Sequence, residues 1–470
     1  MRITARPGKP WLAILLAALL LRLGGAIWWN ARVADHRFAF PDSAGYWHLA
    51  REIARQQPYA MPETGDRVFR TPGYPMLLAP LFLLSDEPPV LWGRLVSVVA
   101  GTLTVGAVYG LARRYRSVRE AWIAGGLAVI YPGAVAMSAF VLTEAPFCLL
   151  MLWQLRLACR LFVPAEGLAR PTDDGRAACG AGPAATAQAA RAPGRRASRL
   201  GGIPLGTASL VGALAGIATL IRPSWLLFWP LTLAFLMACS RQRRVVLAHS
   251  ACLLATLIAT MLPWWIRNYR LTERFVPTSL QVGASLYDGL RPGARGESNM
   301  DFVPEFRRLQ READEAAEAA GKPLASTFEY RLDRRLRIAA TAWASQHPRR
   351  VGELVLQKLR RMWNLWPNEA AFGAGWMPGI AATGYLPVML LATRGCWLCY
   401  RGSGETRRLA LVCVWPAIYF TLMHIVFVAS IRYREPAMLP LLVMAAVGTN
   451  LRLGDDGRDG QPARKDSTDY

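Results

Sequence analysis

Carboxylates are scarce in this chain of 470 residues. Its 32 Asp and Glu stand against 55 Lys and Arg, a net charge of +23. Lysine is nearly absent, so arginine carries almost all of the positive charge. Histidine occurs only five times, and no HxxxH, DxD or acidic triad offers a clear metal site. The eight cysteines lie mostly in apolar stretches or in loops expected on the cytoplasmic side, which excludes a disulfide framework of the secreted kind. Cys396-Trp-Leu-Cys399 has CxxC spacing, but a single pair at the end of an apolar run reads as two boundary cysteines. An internal repeat is lacking. So is a small-x-small cleavage site after the basic N-tail and the run from Trp11 to Leu21, which therefore reads as an uncleaved transmembrane helix.

What the chain has in abundance is apolar sequence: 53% of residues are hydrophobic and the mean hydropathy is +0.20. That composition excludes a soluble protein of this size and fits a polytopic membrane protein. Nucleic-acid binding is disfavoured because the basic residues lie between apolar runs rather than on one soluble face. The expected fold is all-α, with about ten transmembrane helices near 11–29, 90–112, 120–140, 142–163, 203–221, 223–240, 245–265, 374–393, 408–429 and 435–452. Every second connection is rich in arginine, which places both termini in the cytoplasm.

On this reading residues 1–265 form an N-terminal transmembrane module with an outer loop, 30–89. Its insert 164–202 is rich in Ala, Gly, Pro and Arg and reads as disordered and cytoplasmic. A second outer loop, 266–373, precedes the C-terminal spans 374–452 and a cytoplasmic tail, 453–470. Apolar residues from Val351 to Trp366 recur at helical spacing against arginines, predicting an interfacial helix over 348–366.

Charges in unusual places mark the candidate site. Glu144 lies in Phe140-Val-Leu-Thr-Glu-Ala-Pro-Phe147, between apolar runs. A carboxylate at helix-centre depth costs roughly 2.5–3.5 kcal/mol on insertion scales, so it needs a helix end, a wet cavity or a task. Asp42 follows Pro41, a helix-start signal, and would share a helix face with Tyr46; it serves either as a helix cap, with Ser43 competing, or as a functional acid. Arg70 precedes Thr-Pro-Gly-Tyr-Pro75 and the short apolar run Met76 to Leu84, too short to span. Arg222, Arg267, Arg432 and Arg434, with Arg94 a further candidate, fall at outer span ends where the topology rule expects few cations. They either snorkel to headgroups or bind an anion such as phosphate. His424, in apolar sequence near a span end, is either a structural or a substrate-binding histidine.

In order along nearly the whole chain come Asp42-x-x-x-Tyr46, Arg70-Thr-Pro-Gly-Tyr-Pro75, Thr143-Glu144, Ile221-Arg-Pro-Ser224, Pro263-Trp-x-x-Arg-Asn268, His347-Pro348 leading to Trp363, and Arg432-Tyr433-x-x-Pro436. This series resembles the GT-C glycosyltransferases, in particular the protein-mannosyltransferase and aminoarabinose-transferase-like group (glycosyltransferase family 39 and its bacterial relatives). The resemblance implies a polyprenyl-phosphate-sugar donor, a lipid, glycan or protein acceptor, and an inverting displacement at the outer face of a membrane, such as the bacterial inner membrane. It implies Asp42 as the base, with Glu144 orienting the acceptor or binding a divalent cation. Arg70, Arg267, Arg432 and Arg434 would hold the donor phosphate, with Arg222, Tyr46 and His424 as further substrate-binding candidates. The chain departs from that family at Gly283 to Pro292, where many relatives have an Asn-rich turn, and in having no acidic neighbour of Asp42 before Glu52. The alternative is a flippase or transporter of a lipid-linked or anionic substrate, though such sites lie near the midplane of repeated halves.

Overall fold

The computed structural model describes residues 9–33, 38, 40–159, 205–240, 242–367 and 375–450. The expected insert 164–202 and tail 453–470 lie outside the described residues. Among the described residues the chain is helical and contains no strand.

Helix α1 (Lys9–Arg32) is followed by two helices of the first long loop, α2 (Pro41–Ala54) and α3 (Gly73–Leu84). Next come α4 (Val90–Tyr115), α5 (Val118–Ile130) and α6 (Pro132–Ser138), the last two bent by 55° about Tyr131. Helices α7 (Glu144–Ala158), α8 (Leu205–Ile221), α9 (Phe228–Cys239) and α10 (Arg243–Thr272) follow. The second long loop carries α11 (Val282–Gly289), α12 (Val303–Ala319), α13 (Phe328–Gln346) and α14 (Pro348–Trp363); α15 (Met377–Arg401), α16 (Gly404–Val426) and α17 (Ile431–Gly448) close the chain. A helix thus occupies each of the ten expected spans. Four of them (α1, α4, α10 and α16) are long and apolar enough to cross a membrane alone, and α5 with α6 makes a fifth. Within the described residues α7, α8 and α9 have 15, 17 and 12 residues, below the ~20 that span a hydrocarbon core without help from neighbours.

Local chemistry sets several boundaries. Ser117 and Glu120 form a reciprocal capping box at the start of α5, and Thr327, Ser403 and Ser430 cap α13, α16 and α17. The N-cap of α2 is Phe40, without a side-chain cap; Asp42 lies inside the helix and neither it nor Ser43 caps it. That removes the capping explanation for Asp42.

Small residues allow the bundle to close. A Cβ on Gly216 would come within 2.6 Å of Thr260 Cβ, so α8 and α10 approach backbone to backbone. Gly395 and Gly448 do the same between α15 and α17. From Pro436 to Gly448 every residue of α17 is buried, which makes it the central helix. Gly73 is equally constrained: its Cβ would lie 2.6 Å from the Leu220 carbonyl carbon. The turn after Arg70 therefore sits directly on the end of α8, where Arg222 follows.

The expected amphipathic helix ends three residues early, at Trp363. It buries Leu354, Lys358 and Met362 against the bundle. Lys358 Nζ donates to the carbonyls of Ile425 and Val426 at 3.1 and 2.9 Å, capping α16. Burial pushes its amine down to about 8, with the Asp288 charge opposing.

Candidate functional site

Helix ends converge where α2, α7, the α8–α9 turn and α17 meet. Arg70 Nη2 lies 2.6 Å from Asp42 Oδ1, and Arg432 Nη2 lies 3.3 Å from Asp42 Oδ2. Arg432 Nε is 3.3 Å from Glu144 Oε1, which also faces Arg222 Nη1 at 3.2 Å. Five charges thus alternate in one chain: Arg70, Asp42, Arg432, Glu144, Arg222. Three guanidiniums meet two carboxylates, so the string retains one positive charge. Glu144 and Arg222 are buried, while Asp42 stays about a third exposed, with 32% of its side chain accessible.

Each member is held in place. Glu144 opens α7, where the helix N-terminus favours a negative charge. Arg70 Nη1 also reaches Tyr46 OH at 3.4 Å and Gln281 Oε1 at 3.3 Å, and its guanidinium lies 5.0 Å from the Tyr46 ring. Arg222 and Arg432 both lie against the Tyr433 ring, at 5.8 and 5.1 Å. His424 stacks on Tyr433, with ring centroids 4.3 Å apart and planes 3° from coplanar, and its Nδ1 lies 2.9 Å from the Val428 carbonyl. Its Nε2 is buried without a hydrogen-bond partner among the described residues. The Nε atoms of Arg70 and Arg222 are likewise buried without an acceptor among the described residues.

Burial alone would raise the Asp42 carboxyl, but the charges and hydrogen bonds of Arg70 and Arg432 outweigh it and hold it at about 2. The same ion pair, with the Tyr46 hydroxyl, moves Arg70 upward against its own desolvation.

The structure brings together Asp42, Glu144, Tyr46, Arg70, Arg222, Arg432 and, through Tyr433, His424. Arg267 and Arg434 point elsewhere. Arg267 Nη2 donates to the carbonyls of Tyr59 and Arg67 at 3.3 and 3.1 Å, and its guanidinium lies 4.7 Å from the Trp264 ring. It ties the first loop to α10. Arg434 is buried and donates to the carbonyls of Met362 and Asn364, with its guanidinium 3.7 Å from the Tyr385 ring. Arg94 donates to Asn30 Oδ1 and the Ala139 carbonyl, at 3.1 and 3.0 Å. Sequence reasoning passed over Tyr433 and Gln281. Tyr433 stood in a quoted motif between two arginines, but its flat ring gave no charge signal. Gln281 gave none at all.

Glu144 Oε1 is already faced by two guanidiniums, so a divalent cation there would have to displace them. Among the described residues, no three His, Cys, Asp or Glu side chains converge as a metal-holding group. Beside the charged string lies a largely apolar cavity of about 400 Å³, walled by Trp28, Tyr131, Trp376 and Ile380, with Arg432 and Glu435 among the residues that line it.

No family model matches this chain, and no curated protein matches it by sequence. Solved structures do. The crystal structure of the Archaeoglobus fulgidus oligosaccharyltransferase tethered with an acceptor peptide aligns with 94% of this chain and 49% of its own, at 12% identity and a TM-score of 0.52. The enzyme AglB from the same organism, in complex with an inhibitory peptide and a dolichol-phosphate, aligns with 95% of this chain and 50% of its own, at 14% identity and a TM-score of 0.52. ArnT from Cupriavidus metallidurans, bound to undecaprenyl phosphate, aligns over 94% and 78% at 15% identity, with a TM-score of 0.39. The chain spans about half the length of the archaeal structures. At these identities the likeness concerns architecture: this chain has the GT-C fold of an integral membrane protein.

Proposed function

We propose that this protein transfers a sugar from a polyprenyl-phosphate donor to an acceptor hydroxyl or amine at the outer face of the membrane, with inversion at the anomeric carbon. The observation that carries the reading is the charged string from Arg70 to Arg222, with its one surplus positive charge, next to an apolar cavity that Arg432 helps to line. An apolar cavity and a guanidinium cluster side by side match a ligand with a long hydrocarbon tail and a phosphate head. The archaeal GT-C structure seen with dolichol-phosphate supports the same class of donor.

In this reading the donor lipid lies along the apolar cavity and its phosphate meets Arg432, with Arg70 and Arg222 on either side. The acceptor oxygen or nitrogen attacks the anomeric carbon from the face opposite the phosphate. As the new bond forms, the carbon–phosphate-oxygen bond breaks and its electron pair passes to the phosphate, which the guanidiniums stabilise. The acceptor's proton passes to Asp42. A carboxylate held at about 2 by two arginines is a weak base. Donor phosphate competes for those same arginines, so its arrival loosens their hold and makes Asp42 more basic when the base is needed. Glu144 keeps Arg222 and Arg432 in register. Arg267 and Arg434, which carry the loops, act on positioning rather than on the phosphate.

The test is sugar transfer by the purified protein in detergent, with a panel of polyprenyl-phosphate sugars and a crude envelope acceptor. Transfer with one donor class supports the proposal. Tight binding of donor lipid without transfer from any donor would favour a lipid-transport role.

A further inference from the structure

Helix α2 has a second functional-looking face. Asp42 and Tyr46 face the charged string. Ala44, Trp47, His48 and Arg51 recur at helical spacing on the opposite side. They line a separate cavity of about 420 Å³ between α1, α2, the end of α3 and the start of α4. It shares no lining residue with the apolar cavity beside Arg432.

Its walls are built rather than incidental. Trp47 is wedged in place: a Cβ on Gly93 would come within 2.6 Å of its ring, and the ring packs edge-on against Phe82 at 5.0 Å. Arg94 lines the cavity while 2% exposed, fixed there by its hydrogen bonds to Asn30 Oδ1 and the Ala139 carbonyl. Arg51 Nη2 lies 3.0 Å from His48 Nδ1, so the guanidinium donates and the imidazole accepts. Burial moves His48 downward, with Glu52 opposing, which keeps that ring neutral at physiological pH. At the exposed rim Arg55 Nη2 donates to the Asp86 carbonyl at 3.3 Å, beside the carboxylates of Asp86 and Glu87.

The lining therefore combines an immobile indole, three arginines and two carboxylates. Glu52 further offsets Arg51, at 3.3 Å. Near balance of charge disfavours a polyanion. Donors and acceptors in alternation around an aromatic wall suit a group that presents many hydroxyls, and the arginines accommodate one negative charge.

We propose that this cavity is a saccharide-binding site for sugars carrying at most one negative charge, such as a uronate. Its role as the seat of the acceptor's glycan rests on the transfer reading above. A helix is about 10 Å across, so a glycan of two or three sugars seated here can present a further hydroxyl beyond α2 toward Asp42. The binding itself does not depend on the transfer reading.

The experiment measures binding of a neutral trisaccharide, a uronate-containing trisaccharide and a sulfated polyanion to the full chain in detergent, by calorimetry and saturation-transfer NMR. Arg51→Ala and the rim variant Arg55→Ala are compared with wild type, and a competition arm adds nanodiscs of phosphatidylglycerol. Saturable binding of the uronate trisaccharide is expected, weakened roughly ten-fold or more in each variant because a hydrogen bond to a charged group is removed. Affinity for polyprenyl phosphate stays unchanged in both. Equal trisaccharide binding by wild type and variants, or no saturable binding, overturns the proposal. Preference for the sulfated polyanion, or full displacement by the anionic lipid, also overturns it and assigns the cavity to polyanions or to headgroups. If the site binds saccharide but the wild type transfers no sugar, the transfer reading fails and the saccharide site stands.

Discussion

Arg432 and Arg434 stand two residues apart at the start of α17 and both line the apolar cavity, yet they hold different partners: Arg432 bridges Asp42 and Glu144, whereas Arg434 holds the carbonyls of Met362 and Asn364 and lies against the Tyr385 ring. The same residue type at nearly the same place thus carries two kinds of task. Arg432→Ala is expected to weaken donor binding by about 10–100-fold, the loss of one charge-assisted contact, with a small change in melting temperature. Arg434→Ala is expected to cost about 2–4 kcal/mol of stability, because it removes the charged hydrogen bonds to two carbonyls and a cation–π contact, with donor affinity nearly kept. Donor titration and thermal unfolding of both variants check the division.

Glu144 and Arg222 form a buried ion pair 3.2 Å apart. Removing either partner leaves a charge buried with less compensation, so Glu144→Gln and Arg222→Gln are each expected to destabilise by about 3–5 kcal/mol. The double variant should be less damaging than the sum of the two. A double-mutant cycle on unfolding, with a coupling of about 1–3 kcal/mol, checks this.

Gly133 allows Glu435 to pack beneath α6: a Cβ there would come within 2.6 Å of Glu435 Oε1 and closer still to Oε2. Gly133→Ala must displace either the α6 backbone or the carboxylate. It is expected to cost about 1–3 kcal/mol, the usual scale of overpacking. Gly126→Ala, with nothing within 4 Å of its added Cβ, is the control expected to be neutral in the same unfolding assay.

Glu329 accepts from the backbone N–H groups of Arg67 and Val68 at 2.9 and 3.1 Å, fastening the first long loop to α13. Burial, with Asp66 adding to it and those N–H groups opposing, raises its carboxyl from 4.5 to about 7. The folded protein therefore binds a proton between those values that the unfolded chain does not. Its stabilising effect is complete below pH 4.5 and is lost as pH rises through about 7. Melting temperature should fall between pH 5 and 7.5, on the order of the window set by that shift, and Glu329→Gln should flatten the slope.

The fold was readable because spans announce themselves as apolar runs and the amphipathic helix 348–363 shows its period without help from neighbours. Asp42, Glu144, Arg70, Arg222 and Arg432 were readable as candidates because each is a charge where the membrane or the topology rule disfavours one. Which way an arginine points was not readable. Arg267 and Arg434 lie at span ends like Arg432, and the carbonyls of Tyr59, Arg67, Met362 and Asn364, brought in by tertiary packing, turn them aside. Tyr433 and the apolar cavity were hidden for the same reason: the cavity is assembled from α1, α6, α15 and α17, which no sequence spacing relates. Helix α9 shows the converse, since its expected span, 223–240, begins before the helix Phe228–Cys239 that the chain forms.

The most direct test of the central claim compares wild type with Asp42→Asn for both donor binding and sugar transfer. The account predicts that the variant folds, binds donor at least as tightly, because Arg70 and Arg432 are released from Asp42, and transfers sugar about 10²-fold or more slowly, within the range of a lost general base. Near-normal transfer by Asp42→Asn would contradict the account.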